Sequence, residues 1–293
     1  MKHPLFLLLA ALLALAGCAK YQIQYEGPYS EKDGELPQTA KTDYQVLAVT
    51  DGQIRLLDRG LQHQKILQTP PLGIQKASIN YAHDRIAYQV PGENIVVADS
   101  AGITLEVVPD TYDVEWFDWH SNDRTLVLLR NNVLSFHGPA VPTKATSLNY
   151  IFPIGSQEQT VNSVALAPDG RVFVAYRYYS GFSFGYVNKV RILAGTSSDF
   201  SALLPSNQPT HWMRLDRSGN HVVFGTYSNF YTRAWELEGP QPVLKETQDA
   251  AFGAVSPEGT ATLYGDLDLW MFAPDGSLRQ YGLAGARLTA LDW

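Results

Sequence analysis

Five consecutive residues, Gly181-Phe182-Ser183-Phe184-Gly185, carry the spacing G-x-S-x-G. In a hydrolase that spacing sets a serine nucleophile on a sharp turn between a strand and a helix, with an acid and a histidine following in the fold. Here alternating apolar segments lie on both sides, so the pentapeptide reads as a Gly-flanked strand–strand hairpin tip. His63, His83, His120, His137, His211 and His221 show neither H-x-x-x-H nor H-E-x-x-H spacing, which would put two imidazoles on one helical face to hold zinc. His83, His120 and, approximately, His221 are expected at one shared turn position, where hydrogen bonding within the turn accounts for them. Asp266 and Asp268 lie two apart and read as a solvated acidic turn. Asp113, Glu115, His211 and Arg214, on or entering inner strands, are the groups an enzyme would have to bring together at a channel mouth. No catalytic set, metal centre or cofactor site is expected.

The remaining reactive group is Cys18, the single cysteine of 293 residues. It excludes an intramolecular disulfide and a cysteine-based zinc site. Lys2 and His3 precede an apolar run from Leu5 to Ala16, and Leu15-Ala16-Gly17-Cys18 ends it. A basic start, a short apolar run and a small-residue cleavage site make a secretory signal. The run falls short of the ~20 residues that span a bilayer. Its Leu-Ala-Gly-Cys ending resembles the bacterial lipobox. That resemblance implies a signal peptide over residues 1–17, removed, a diacylglycerol thioether on Cys18, and an acylated new N-terminus. In the lipoprotein families it resembles, Ala19 rather than Asp after the cysteine implies outer-membrane sorting. The expected address is the cell envelope, lipid-anchored, either periplasmic or surface-exposed. Residues 18–43 are polar and without period, with Gly27-Pro28 and Pro37, and are expected as a flexible tether with a coil size of roughly 25–30 Å.

From Tyr44 onward one pattern recurs. Val164 to Tyr176 is an apolar strand, a Pro-Asp-Gly turn and a second apolar strand. Weaker copies run from Ser78 to Val90, Glu115 to Leu129, Met213 to Tyr227 and Ala251 to Gly265. A motif returning about every 40–50 residues marks a repeat architecture. Each unit divides into four strands, a to d, without helices. Residues 44–67 hold three strands and lack strand a, while Ala286 to Trp293 is one strand left over. Leu291-Asp292-Trp293 parallels Phe117-Asp118-Trp119. The C-terminal strand is therefore expected to complete the N-terminal blade, giving an all-β, six-bladed propeller over residues 44–293. Ala167-Pro168-Asp169-Gly170 and Ser256-Pro257-Glu258-Gly259 resemble the turns of WD-like and TolB-like propeller repeats. The resemblance implies the fold and leaves function open, since such folds host unrelated functions.

Composition narrows the partners. A formal net charge of -7 without a Lys/Arg cluster argues against nucleic acid, which needs a basic stripe. Most b–c turns are tight, but Tyr178 to Tyr186 and Tyr227 to Tyr231 are long and aromatic. In propellers the b–c and d–a loops share one face, so these neighbouring hairpins are expected side by side. Tyr179, Phe182, Phe184, Tyr186, Phe230 and Tyr231 are the candidate binding residues, suited to a peptide anchor or a sugar ring. The expected role is a membrane-tethered, non-enzymatic binding or scaffold propeller for a protein or glycan partner. A propeller hydrolase or carbohydrate-active enzyme with its site at the channel mouth is the alternative.

Overall fold

A computed structural model describes residues 29–32, 44–67, 73–143, 145–181, 185–193, 198–199, 210–226, 231–237, 243–265, 268–273, 277–283 and 286–293. The expected signal peptide, residues 1–17, and Cys18 lie outside these residues. Within the expected tether, Tyr29–Lys32 forms a short strand, β1.

The strands then follow in sheets along the chain. The first sheet contains β2 (Tyr44–Thr50), β3 (Gln53–Asp58) and β4 (Gln64–Ile66), and the second β5 (Lys76–Ile79), β6 (Arg85–Gln89), β7 (Val96–Asp99) and β8 (Thr104–Val107). The third contains β9 (Trp116–Trp119), β10 (Leu126–Arg130) and β11 (Val133–His137). The fourth is β12 (Gln157–Leu166), β13 (Val172–Ser180), β14 (Gly185–Leu193) and β15 (Ser198–Asp199). The fifth is β16 (Thr210–Leu215), β17 (His221–Thr226), β18 (Tyr231–Glu236) and β19 (Val243–Asp249). The sixth is β20 (Phe252–Val255), β21 (Thr262–Gly265), β22 (Asp268–Phe272) and β23 (Leu278–Gly282), and β24 (Leu288–Asp292) ends the chain. Within each sheet consecutive strands pair antiparallel, the arrangement that short turns between alternating strands dictate.

Two strands break that order. β24 pairs antiparallel with β2, Leu47 opposite Asp292 and Ala48 opposite Leu291, so the last strand becomes the inner strand of the first sheet. β1 pairs in parallel with β23, Tyr29 opposite Leu278, and adds a fifth strand to the sixth sheet.

Six equal four-stranded blades were the expectation, and this is corrected. Among the described residues, five sheets reach four strands or more, while the third stops at three. The fourth strand expected at Ser147 to Phe152 is reduced to an isolated bridge, Val133 to Ser147, followed by a 3-10 turn at Asn149–Ile151. The segment still runs beside β11, because Leu134 N donates to Thr146 O at 2.7 Å and Leu148 N to Asn132 O at 2.8 Å. Gly138, at φ 120°, starts the approach, and Pro139 and Pro142 supply no N–H for a ladder.

The core is divided among the seams between neighbouring sheets. Strand side chains alternate in direction, so each sheet feeds the seam on either side. Leu47, Ile54 and Leu56 meet Ile79 and Ile86 between the first and second sheets. Ala87 and Val97 meet Phe117 and Leu126 at the next seam, and Val127 and Leu129 meet Val164 and Val174 after that. Phe173 and Val190 pack on Met213 and Phe224, and Trp212 and Val223 on Val255 and Tyr264. Leu263, Met271 and Tyr281 meet Val46, Leu57, Leu291 and Trp293, which closes the circle from the last sheet to the first. This is an all-β propeller.

The a–b turns hold as expected. Gly170 N donates to Ala167 O at 2.9 Å and Gly259 N to Ser256 O at 2.8 Å. Both glycines take positive φ, 85° and 72°, which costs glycine nothing. His83 and His120 prove inequivalent. His83 (φ 58°) fills that left-handed position, its N–H on Asn80 O, whereas His120 precedes its own turn and accepts there from Asp123 N. His221 opens β17 after the turn and lies 3.3 Å from Asp216 Oδ2.

Candidate functional site

Two polar clusters stand out, one on inner strands and one at the long hairpin. The first is assembled from single residues of four sheets: Ser78 on β5, Asp118 on β9, Arg214 on β16 and Asp292 on β24. All four sit on the strand that leads its sheet, where propeller blades converge. Asp118 Oδ1 accepts from Ser78 Oγ at 2.7 Å and from Trp119 N at 2.8 Å, and its Oδ2 accepts from Arg214 Nη1 at 3.1 Å. Asp292 Oδ2 accepts from Ser78 Oγ at 2.7 Å and Ile79 N at 2.9 Å. Its Oδ1 accepts from Trp293 N at 2.9 Å and lies 3.1 Å from Arg214 Nε. The guanidinium also stands 5.0 Å above the Trp116 ring.

Every carboxylate oxygen here has a partner, yet the cluster is one proton short. Ser78 Oγ has a single hydrogen and sits within 2.7 Å of two carboxylates. Both contacts are hydrogen bonds only when one carboxyl carries a proton. Burial pushes Asp118 up to about 6, against the pull of Arg214, and the nearby negative charge of Asp292 adds to the rise. Burial works against the Arg214 charge, but the two carboxylates outweigh it and raise its pKa. Burial, then the charges of Asp118 and Asp292, push the Tyr81 phenol well above its ordinary value, and it donates to Leu215 O at 3.0 Å. The cluster ties the closing strand to β5 and β16 and keeps one acid, Asp118, titrating well above the ordinary aspartate range. Its carboxylates are occupied by protein donors, which leaves them poorly placed to serve as a catalytic pair.

The second cluster tops the fourth sheet. β13 and β14 pair over nine residues each, Val172 opposite Leu193 through Ser180 opposite Gly185. The G-x-S-x-G segment is the tip of this hairpin, a strand before it and a strand after, so no nucleophile elbow forms. Tyr179 opposes Tyr186, ring centroids 5.7 Å apart and nearly perpendicular. The Arg177 guanidinium lies 5.1 Å from the Tyr186 ring centre. Glu158, at a register shift in β12 and with φ 49°, accepts from the Tyr186 hydroxyl, which pushes that phenol up. Tyr186 is 44% exposed. A bulge that re-aims a side chain at a sheet end is a device of binding sites.

Of the six candidate binding residues, Tyr179 and Tyr186 are thus brought together. Phe182, Phe184 and Phe230 lie outside the described residues, and Tyr231 opens β18 with its side chain likewise outside. Among the channel-mouth residues, only Arg214 joins the inner cluster. Asp113 pairs with Arg130 at 2.6 Å, and the backbone carbonyl of Glu115 accepts from Lys76. The His211 side chain and Asp266 lie outside the description, while Asp268 Oδ2 accepts from Gln280 at 3.1 Å. Sequence reasoning used Asp118 and Asp292 for strand counting but missed them as a site. The shared Phe/Leu-Asp-Trp ending was the available signal. No group of three or more His, Cys, Asp or Glu residues that could hold a metal occurs among the described residues. No helix among them is long and apolar enough to cross a membrane.

No protein-family model matches the chain, and no curated protein matches it. Solved structures match in fold. TolB from Acinetobacter baumannii aligns over 86% of this chain and 67% of its own, at 13% identity and TM-score 0.57. A nidogen/laminin complex structure aligns over 85% of this chain and 97% of its own, at 10% identity and TM-score 0.55. At such identities the likeness is one of fold. The class is that of the β-propellers.

Proposed function

We propose that the chain is a lipid-anchored envelope protein whose propeller is a non-enzymatic binding module for a protein or glycan partner. Cys18 carries the anchor, with sorting to the outer membrane. The carrying observation is the exposed Tyr186 platform, where Tyr179, Arg177 and Glu158 hold an aromatic face at the end of an overlong hairpin. Aromatic and arginine side chains concentrate at interface anchors. Phe182 and Phe184, which join the two strands of that hairpin in the sequence, are counted with that face. The enzyme alternative draws on the raised Asp118, but both carboxylates of that cluster already serve Ser78, Arg214 and backbone N–H groups.

Phe182→Ala with Phe184→Ala is expected to keep the melting temperature within a few degrees and weaken partner capture by ~2 kcal/mol or more. Thermal melts and pull-downs from crosslinked membranes on the same protein measure both. Undiminished capture by a stable double mutant would remove this face from consideration. For the anchor, Cys18→Ser is expected to leave a soluble or unprocessed protein, because no acyl chain attaches. Normal processing and detergent-phase partitioning of that variant would refute lipidation.

A further inference from the structure

The seam between the fourth and fifth sheets is apolar over most of its length. Ala165, Phe173, Ala175, Val190, Met213 and Phe224 fill it. It turns polar toward the end that carries the long hairpin. Ser163 pairs with Ala175, and Arg177 lies two residues beyond Ala175 on the same strand. From the other side, Thr210 pairs with Thr226, two residues beyond Phe224. Paired residues, and residues two apart, point to the same face of a sheet. Ser163, Arg177 and Thr210 therefore continue the apolar row into one place.

All three are left wanting. Ser163 is 0% exposed and Thr210 2%. Ser163 Oγ, Thr210 Oγ1 and Arg177 Nε are sealed from solvent and have no hydrogen-bond partner. A buried polar atom without a partner is unfavourable, and native proteins retain few of them. Three that face one seam call for a common partner. All three groups donate, and one of them is a cation.

We propose that this seam binds a carboxylate. The guanidinium fork matches a planar carboxylate, and the two hydroxyls donate to its remaining lone pairs. One guanidinium balances one negative charge, which favours a carboxylate over a phosphate dianion. Glu158 does not fill the place, since its carboxylate takes the Tyr186 hydroxyl. Tyr186 stands over Arg177, so the site lies beneath the proposed recognition platform. The inference rests on that reading for biological context and gives the partner its chemistry: an acidic group presented to the hairpin.

The test titrates the purified full chain with sodium acetate, or with an acetylated, C-terminally amidated Ala-Ala-Glu peptide, at constant ionic strength, and reads the melting temperature. Either probe is expected to raise it by about 3 °C at tenfold excess over Kd. Saturation at lower peptide than acetate concentration identifies a protein-borne carboxylate. Equal potency identifies a small free acid, and both outcomes uphold the site. Ser163→Ala is expected to leave the ligand-free melting temperature unchanged or higher, because it removes an orphaned hydroxyl, while weakening the acetate response at least tenfold. Arg177→Gln abolishes the response. No shift in the parent protein, an equal shift with chloride or phosphate, or an intact response in Ser163→Ala would overturn the proposal. The acetate arm is independent of the hairpin tip, so undiminished partner capture in Phe182→Ala with Phe184→Ala would remove the recognition platform and leave the carboxylate site standing.

Discussion

The inner-strand cluster and the fourth–fifth seam use similar residues to opposite ends. Each has an arginine and serine hydroxyl chemistry between β-strands. On the inner strands Arg214 faces two carboxylates, and each carboxylate oxygen is met by a protein donor. In the seam Arg177 keeps its Nε unpaired, as do the hydroxyls of Ser163 and Thr210. Arg214 Nε also lacks an aligned hydrogen bond, but it lies 3.1 Å from Asp292 Oδ1, so its charge is answered by an anion. The contrast lies in the counter-charge, which a buried cation needs. The inner arginine is held between two carboxylates, whereas the guanidinium of Arg177 is placed over the Tyr186 ring.

The comparison breaks most visibly at Arg214. Arg214→Leu removes the cation and leaves two buried carboxylates facing each other. Loss of one partner from a buried ion pair typically costs about 3–5 kcal/mol, and denaturant melts at pH 7.5 should show a loss of that order. A loss below 1 kcal/mol would mean that the inner cluster is not a structural tie.

Acidity gives a smaller effect of opposite sign. Asp118 has a folded pKa of about 6 against an ordinary value of 3.8. The folded chain then holds the proton more tightly than the unfolded chain. Its stabilising contribution is full below pH 3.8 and is lost as pH rises through 6, a swing of about 3 kcal/mol. Across pH 7.5 to 5 this group alone raises stability. Asp118→Asn, which mimics the protonated acid, should flatten that dependence between pH 4 and 7, as read by urea midpoints. A parallel pH profile in the variant would move the proton to another group. Smallest of all is Ser163→Ala in the absence of ligand, where a change near zero marks the seam hydroxyl as structurally idle.

Much of the architecture was legible because it repeats. The apolar alternation and the turns Pro168-Asp169-Gly170 and Pro257-Glu258-Gly259 located a and b strands. The stray Leu291-Asp292-Trp293 pointed to its partner sheet, and β24 pairs with β2. The inner cluster was not legible, because each sheet supplies one residue and only ring closure unites them. Ser78 and Asp292 stand 214 positions apart in the chain. Strand β1 left no periodic trace either, since a parallel edge pairing draws on backbone groups. In the third sheet, Pro139 and Pro142 flagged a long loop, but the strand expected after it is a single bridge. The unpaired hydroxyls of the seam leave no sequence signature, as serine and threonine are common in strands and only three-dimensional accounting shows which go without a partner.

The placement of β1 has a mechanical consequence. It clips to the outer edge of the sixth sheet, whereas the ring is fastened by β24 on β2. A pull on the N-terminus loads β1 first, and residues 33–43 stand between it and β2. Four residues of edge pairing must release before tension passes to β2, and the eleven residues between the two strands can span at most about 35–40 Å. β1 is thus a breakaway clip, standing between a pull on the N-terminus and the clasp that holds the propeller shut.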